Sequence, residues 1–93
     1  MITRQYSFNI TQGPSRDDAV SGFHFANKMV GGLRFKRTGD YEDRVEVANT
    51  SVSYSIQWRV GKVEVSGDTQ NQVDRASIIF TDISGISLME EAA

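Results

Sequence analysis

The chain has 93 residues, of which 39% are hydrophobic and 24% are charged, and its formal net charge is −2. This length suits one domain with one core, and the composition excludes wholesale disorder. No run approaches the roughly 18 apolar residues of a membrane span, and the first ten residues lack the apolar core of a secretory signal. Because cysteine is absent, disulfides, thiolate zinc sites and cysteine nucleophiles are excluded. We therefore expect a single cytoplasmic domain over residues 1–93, with no membrane partner.

The charges are distributed unevenly along the chain. Residues 1–39 carry six basic and two acidic groups, a net +4, whereas residues 40–93 carry four basic and ten acidic groups, a net −6. Such polarity indicates either a charged binding surface or packing of the two parts against each other.

The chain begins with a predicted strand and the only convincing helix. Residues 2–11 alternate as a strand does, and the sequence Gln-Gly-Pro at 12–14 ends the alternation. A helix is predicted over residues 15–30, where Ser15 and Asp18 approximate a capping box. An apolar stripe places this helix across one face of a sheet. The stripe consists of Ala19, Phe23, Ala26 and Val30.

Strands are predicted for most of the remaining chain. Residues 33–38 and 42–48 form two short strands, residues 75–83 form the last clear strand, and residues 86–89 add a short final one. The expected fold is α+β, with a mostly antiparallel sheet of about five or six strands and one helix on one face, in the order β-α-β-β-β-β-β.

The clearest alternation lies in residues 51–67, which we expect to form the hairpin at the centre of the sheet. The phase of the alternation changes at Gly61-Lys62. A two-residue turn at that point would explain the change and would place Arg59 opposite Glu64 on neighbouring strands.

One helical face carries the residue types of a hydrolytic triad. Asp17, Ser21 and His24 are spaced i, i+4 and i+7, opposite the apolar stripe. A triad needs a base held by a buried partner and donors directed at an oxyanion, and a solvated face supplies neither. We therefore expect no catalytic residues and no enzyme.

Acidic residues cluster around the turn that precedes residues 42–48, but without the pattern of a metal site. The stretch lacks the alternating oxygen ligands, central glycine and terminal glutamate of a calcium loop. No glycine-rich phosphate loop occurs either. We expect no metal site and no cofactor. The acidic residues are Asp40, Glu42, Asp43 and Glu46.

Basic residues on the strand after the helix support a nucleic-acid hypothesis. A basic sheet face contacts phosphates, but recognition of single strands also requires exposed aromatic side chains, and the aromatic residues here alternate toward the apolar side. The acidic pI of about 5.2 also disfavours this alternative. The candidate residues are Arg4, Arg34, Lys36, Arg37 and Arg59.

Apolar residues in excess of what one helix can cover favour protein–protein interaction. The strand at 75–83 is apolar on both faces. The side chains of the helix at 25 and 29 lie outside the stripe, where they either belong to a peripheral core, the commoner role of buried aromatic side chains, or form an apolar ledge. A homodimer would cover such surfaces; a C-terminal segment of the same chain is the alternative. The candidate partner-binding residues are Phe25, Met29, Ile79, Phe80 and Ile83.

The predicted order and length are similar to those of the cystatins, which inhibit cysteine proteases with hairpin loops. The sequence Gln57-Trp58-Arg59-Val60-Gly61 resembles their Q-x-V-x-G motif, with the valine one place later, and no Pro-Trp follows. The likeness is one of fold order and implies no membership. Short acidic domains without cysteine or a catalytic constellation resemble inhibitors from phages and mobile elements. Our leading hypothesis is therefore a non-enzymatic module that binds another protein and forms a homodimer, and an inhibitor of phage or mobile-element type is one form of it.

Overall fold

The protein is described by a computed structural model, which covers residues 1–11 and 15–90. The predicted α+β class with an antiparallel sheet is confirmed, with two helices instead of one. The end predicted for the first strand at 12–14 lies outside the described residues. The elements are β1 Ile2–Ser7, α1 Arg16–Met29, β2 Leu33–Gly39, β3 Glu42–Val47, β4 Ser53–Gln57, β5 Lys62–Gly67, α2 Gln70–Ser84 and β6 Met89–Glu90.

All six strands belong to one antiparallel sheet in the order β2-β3-β4-β5-β1-β6. The strands β2 to β5 form a meander, and β5 pairs on its other side with β1, the first strand of the chain. Strand β6 adds two residues beside Tyr6 and Ser7. The sheet therefore ends in a seven-residue strand, β2, on one side and in a minimal strand on the other.

The two faces of the sheet differ sharply in polarity. Both helices pack on one face, where alternate side chains of β1, β3, β4 and β5 join one hydrophobic core. The other face is polar, because the intervening positions carry serine, threonine, glutamine and charged residues. The core consists of Tyr6, Ala19, Phe23, Val45, Val52, Tyr54, Ile56, Trp58, Val63, Val65, Val73, Ala76, Phe80 and Ile86.

The strand predicted at residues 75–83 is wrong, because this segment lies inside α2. Its buried positions recur at helical spacing, and a threonine caps its first turn: the Gln72 N–H donates to Thr69 Oγ1 at 3.1 Å. The helix ends at Gly85, whose φ of 74° is the left-handed conformation that glycine adopts without strain. The buried positions are Val73, Ala76, Phe80 and Ser84.

The two helices pack directly against each other at Gly22. A Cβ atom at this position would lie 2.3 Å from the backbone oxygen of Ile83. Glycine is thus required for the close approach of α1 to α2. The predicted helix at 15–30 is confirmed as α1, and its predicted cap is also present: the Asp18 N–H donates to Ser15 Oγ at 3.2 Å.

The central hairpin is confirmed as β4 and β5, but its turn occupies residues 58–61 instead of Gly61-Lys62. Ser55, not Arg59, lies opposite Glu64. Arg59 instead lies in the turn, 4.5 Å above the ring of Tyr41. The prediction failed because Trp58 leaves the strand to make tertiary hydrogen bonds, which alternation alone does not reveal.

Candidate functional site

Large apolar side chains are exposed on the outer surface of the helix pair. Phe25 and Met29 on α1 are 66% and 69% exposed, and Ile79 on α2 is 50% exposed. We call the whole set the helix-layer surface. It comprises Phe25, Met29, Val30, Ile79 and Ile83, of which Ile83 is half-buried.

Helix periodicity places these side chains beside the contact between the helices. Phe25 and Met29 follow Gly22 at i+3 and i+7, so they flank the position where α1 touches α2. Ile79 and Ile83 lie one turn apart on α2, at the same contact. The sequence therefore places exposed apolar side chains of both helices beside their contact.

An apolar groove of about 880 Å³ continues this surface. Its walls include Ala26 of α1 and Ile79 of α2, and its floor is formed by strand residues such as Val47 and Tyr54. The small side chains of Ala26 and Ala76 leave this space open. Polar residues form the rim at the start of α2, namely Asp68, Thr69, Asn71, Gln72 and Arg75.

The phenol of Tyr54 lies in the floor of the groove, and its hydroxyl is hydrogen-bonded to the backbone. Its hydroxyl donates to the backbone oxygen of Ala76 at 2.8 Å, and burial raises its pKa above the ordinary value of 10.0. The group is therefore neutral near pH 7 and stabilises the fold instead of supplying a reactive oxygen.

Four of the five predicted partner-binding residues contribute to the helix-layer surface. Phe80 does not, because it is 0% exposed and packs on the rings of Phe23 and Tyr54, each 5.4 Å away between centroids. Helix geometry separates it by about 100° from Ile79. The sequence also missed Val30, which was assigned to the buried stripe but lies exposed at the end of α1.

The second face of the sheet is polar, so it does not need the second subunit or C-terminal segment that the sequence analysis considered as a cover. The apolar residues attributed to it belong to α2. Neither a C-terminal segment nor a second subunit is required there, whereas both helices carry exposed apolar side chains.

Asp43 forms an ion pair in which the carboxylate is buried and its partner is partly exposed. Its side chain is 0% exposed, and the Arg16 Nε–H and Nη2–H donate to its two oxygens at 2.9 and 3.0 Å. The Trp58 Nε1–H donates to the same carboxylate at 2.6 Å. The hydrogen bonds from Arg16 to Asp43 raise the pKa of the Arg16 guanidinium. The arrangement ties the start of α1 to β3 and to the turn at 58–61.

The acidic cluster predicted around this strand does not converge. Asp43 faces the helices, whereas Glu42 and Glu46 lie at alternate positions on the open face. Within residues 1–11 and 15–90, no three His, Asp or Glu side chains lie close enough to hold a metal ion.

The five basic candidates are distributed over several surfaces. Arg34 and Lys36 share the open face at the β2 edge, but Arg37 donates to the backbone oxygens of Gly39 and Asp40. Arg4 pairs with Glu90, and Arg59 lies on Tyr41. The pairs Arg16–Asp43 and Arg4–Glu90 join the basic and acidic parts of the chain, so the charge asymmetry is partly internal pairing.

The triad candidates lie on the solvated side of α1. Asp17, Ser21 and His24 are all exposed, and the His24 ring packs at a tilt against Phe35, with 5.4 Å between centroids. No buried carboxylate orients this histidine among the contacts that the described residues make.

No protein family model matches the chain, and comparisons with the curated proteins and with the solved structures found no similar protein. The likeness to cystatins is therefore unsupported, and α2 departs from the order on which it rested. Neither helix in the described residues is long and apolar enough to cross a membrane.

Proposed function

We propose that the chain is a small non-enzymatic interaction module that binds a target protein through its helix-layer surface. The observation that carries the proposal is the joint exposure of large apolar side chains from both helices beside an apolar groove. At about 200 Å² for a whole large side chain, these residues expose roughly 600 Å². This is the upper end for the largest apolar patch of a typical monomer, and patches of that size commonly mark interaction sites.

Inhibition of the bound protein is the activity that we propose for this module. Within residues 1–11 and 15–90, the polar groups that converge on Asp43 are paired with one another around a buried carboxylate, so we propose that the module acts on a target by covering part of its surface. A cytoplasmic location and an origin in a phage or mobile element, both predicted from the sequence, belong to the same proposal.

Affinity capture with surface variants tests the proposal. The doubly substituted chain Phe25→Asp/Met29→Asp changes two exposed side chains without entering the core. Its matched control is Ile10→Asp/Val60→Asp, which changes two apolar residues of similar exposure outside the helix-layer surface. We expect the control and the wild type to retain the same target from a host lysate and the first variant to lose it. Equal retention by all three chains would refute the helix-layer surface as the binding site.

The homodimer predicted from the sequence is measured separately by sedimentation velocity of the purified chain. A dimer that dissociates in Phe25→Asp/Met29→Asp, and not in the control, would identify a second copy as an occupant of the helix-layer surface. A monomer at all concentrations would remove the homodimer hypothesis and leave target binding in place.

A nuclease-treated sample distinguishes protein binding from the nucleic-acid alternative. That alternative has little geometric support, because Arg34 and Lys36 share the open face with Glu42 and Glu46 and with no aromatic side chain. We expect the retained protein to survive nuclease treatment. Its loss would favour nucleic-acid bridging.

A further inference from the structure

We infer that the outer edge of β2 binds an acidic, extended segment of a partner protein, which adds to the sheet as a seventh strand. Strand β2 pairs only with β3 and is the longest strand of the sheet. Along residues 1–11 and 15–90, no strand lies on its other side. An unpaired edge of this length is a template for strand addition.

Backbone direction shows which groups of β2 face outward. The Leu33 N–H points away from the sheet, because it donates to Asn27 Oδ1 of α1 at 3.0 Å. Successive backbone groups of a strand alternate in direction, so the Phe35 and Arg37 N–H groups also point outward. Helix α1 thus caps the first outward donor and leaves the next two for a partner.

The charge of β2 selects an acidic partner. The strand carries three basic residues and no acidic one. Glu46 lies opposite Arg34, but its Oε1 accepts a hydrogen bond from Arg44 Nε at 3.0 Å, and Lys36 lies opposite Arg44 itself. Because β3 only partly compensates the charges of Arg34 and Lys36, carboxylates on an added strand would meet a net positive row on the open face.

The other side of β2 adds an apolar requirement. Leu33 and Phe35 point toward the helices and are half-buried, so part of each remains beside the edge. The best partner is therefore a segment in which acidic residues alternate with apolar ones. Its acidic side chains would face Arg34 and Lys36, and its apolar side chains would pack on Leu33 and Phe35.

A second copy of β2 is a poor occupant of the same edge. Pairing two such strands would bring basic side chains together, which is destabilising. The opposite edge of the sheet already shows the favourable combination, since β6 pairs there with β1 and its Glu90 forms an ion pair with Arg4.

Synthetic peptides test the inference directly. The probe is a fluorescein-labelled nine-residue peptide in which Glu and Val alternate. One control replaces every Glu by Lys; a second keeps all Glu residues but replaces two central Val residues by Pro, which blocks strand pairing at unchanged charge. Fluorescence anisotropy measures binding to the full chain, and NMR measures the Phe35 and Arg37 amide signals.

We expect the Glu–Val peptide alone to bind, with weaker binding at high salt, and to shift and protect the Phe35 and Arg37 amides. Arg34→Glu/Lys36→Glu should weaken binding by at least about tenfold. Lys28→Glu/Arg75→Glu makes the same change in net charge on the helices and should leave binding intact. The Pro-containing peptide binding equally well would overturn strand addition. Binding no tighter than that of the Lys–Val peptide would show that the basic residues only protect the edge.

The outcome is independent of the proposed function. Phe25→Asp/Met29→Asp lies on α1 outside this edge and should bind the Glu–Val peptide as the wild type does. Loss of target capture with retained peptide binding would therefore separate the two surfaces.

Discussion

The carboxylate of Asp43 accepts three hydrogen bonds from two side chains and is shielded from water. Its partner Arg16 is only partly buried, with 24% of its side chain exposed. The two members of the pair therefore differ in what remains when the other is removed. Truncating the arginine leaves a buried charge, whereas truncating the aspartate leaves a guanidinium that reaches solvent.

We expect Arg16→Ala to destabilise the fold more than Asp43→Ala does. A buried charge left without its partner costs about 3–5 kcal/mol. Loss of the acceptor for Trp58 and Arg16 in Asp43→Ala should cost about 2 kcal/mol. Urea unfolding monitored by Trp58 fluorescence measures both, with the exposed Asp40→Ala as control, for which a change below about 0.5 kcal/mol is expected. A larger loss in Asp43→Ala would contradict this account.

Tyr54 makes stability depend on pH in the alkaline range. Burial raises the pKa of its phenol in the folded state above the ordinary value of 10.0. The neutral phenol is thus favoured by folding, so its contribution is complete below pH 10 and is lost as the pH rises from there toward the folded-state pKa. Tyr54→Phe cannot ionise and should lack this part of the alkaline decline.

We expect Tyr54→Phe to be less stable at neutral pH by about 1 kcal/mol, because the hydrogen bond to Ala76 is lost. The difference from the wild type should shrink above pH 10, as measured by urea midpoints at several pH values. Tyr6 and Tyr41 are present in both chains and cancel in the comparison. A difference that stays constant to about pH 11.5 would refute the effect of burial on Tyr54.

The buried role of Asp43 could have been predicted from its position in the sequence. It shares its alternation phase with Val45 and Val47, which places it on the apolar face of β3. A carboxylate at such a position requires a cationic partner. The identity of that partner could not be predicted, because Arg16 lies 27 residues away and meets Asp43 only through the packing of α1 on the sheet.

At the scale of elements, the contact between α1 and α2 depends on Gly22, which has no side chain. Alanine at position 22 would gain about 1 kcal/mol of helix propensity over glycine. Its Cβ atom, however, would lie 2.3 Å from a backbone oxygen of α2, which cannot rotate away. The steric clash should outweigh the gain in helix propensity, because relieving the clash requires the two helices to separate.

We therefore expect Gly22→Ala to lower the free energy of unfolding by about 1–2 kcal/mol, as typical overpacking does. Ser21→Ala, one position earlier on the exposed face, should raise the free energy of unfolding by about 0.3 kcal/mol. Thermal and urea unfolding measure both substitutions. A stabilised Gly22→Ala would mean that the helices adjust freely and that the helix-layer surface is not fixed in shape.

Helix α2 shows why this part of the fold was mispredicted. The adjacent Ile78, Ile79 and Phe80 are typical of a strand apolar on both faces, but in a helix they point in three directions. The local signals for a helix were present, since Thr69 and Gln72 follow the capping-box pattern and Gly85 follows the last turn. Strand-like composition outweighed them. The same error gave Phe80 a place on the candidate surface.

At the scale of the molecule, the alternation along each strand predicts an antiparallel sheet, but it does not predict which distant strands pair. The meander β2 to β5 is predicted by short turns between alternating segments. The pairing of β1 with β5 spans most of the chain and has no local signal. Consequently the sequence indicated Phe25 and Met29 as candidate partner-binding residues, whereas only the fold shows that they are exposed beside the contact between α1 and α2 and that the basic residues separate.

The topology predicts how strongly each part of the sheet resists amide hydrogen exchange. Strands β3, β4 and β5 have a neighbour on both sides and should exchange slowly, whereas the two residues of β6 should exchange fast. In β2 the protection should alternate. The Arg34 and Lys36 N–H groups face β3, and those of Phe35 and Arg37 face outward.

We expect Arg34 and Lys36 to be protected at least about tenfold more than Phe35 and Arg37 in exchange measured by NMR. The Leu33 amide serves as an internal reference, because it faces outward but is capped by Asn27. Measurement at two protein concentrations gives the control. Protection of Phe35 and Arg37 that rises with concentration would mean that a second copy pairs with this edge, against the charge argument. Alternating protection at every concentration would leave the edge open for an acidic strand.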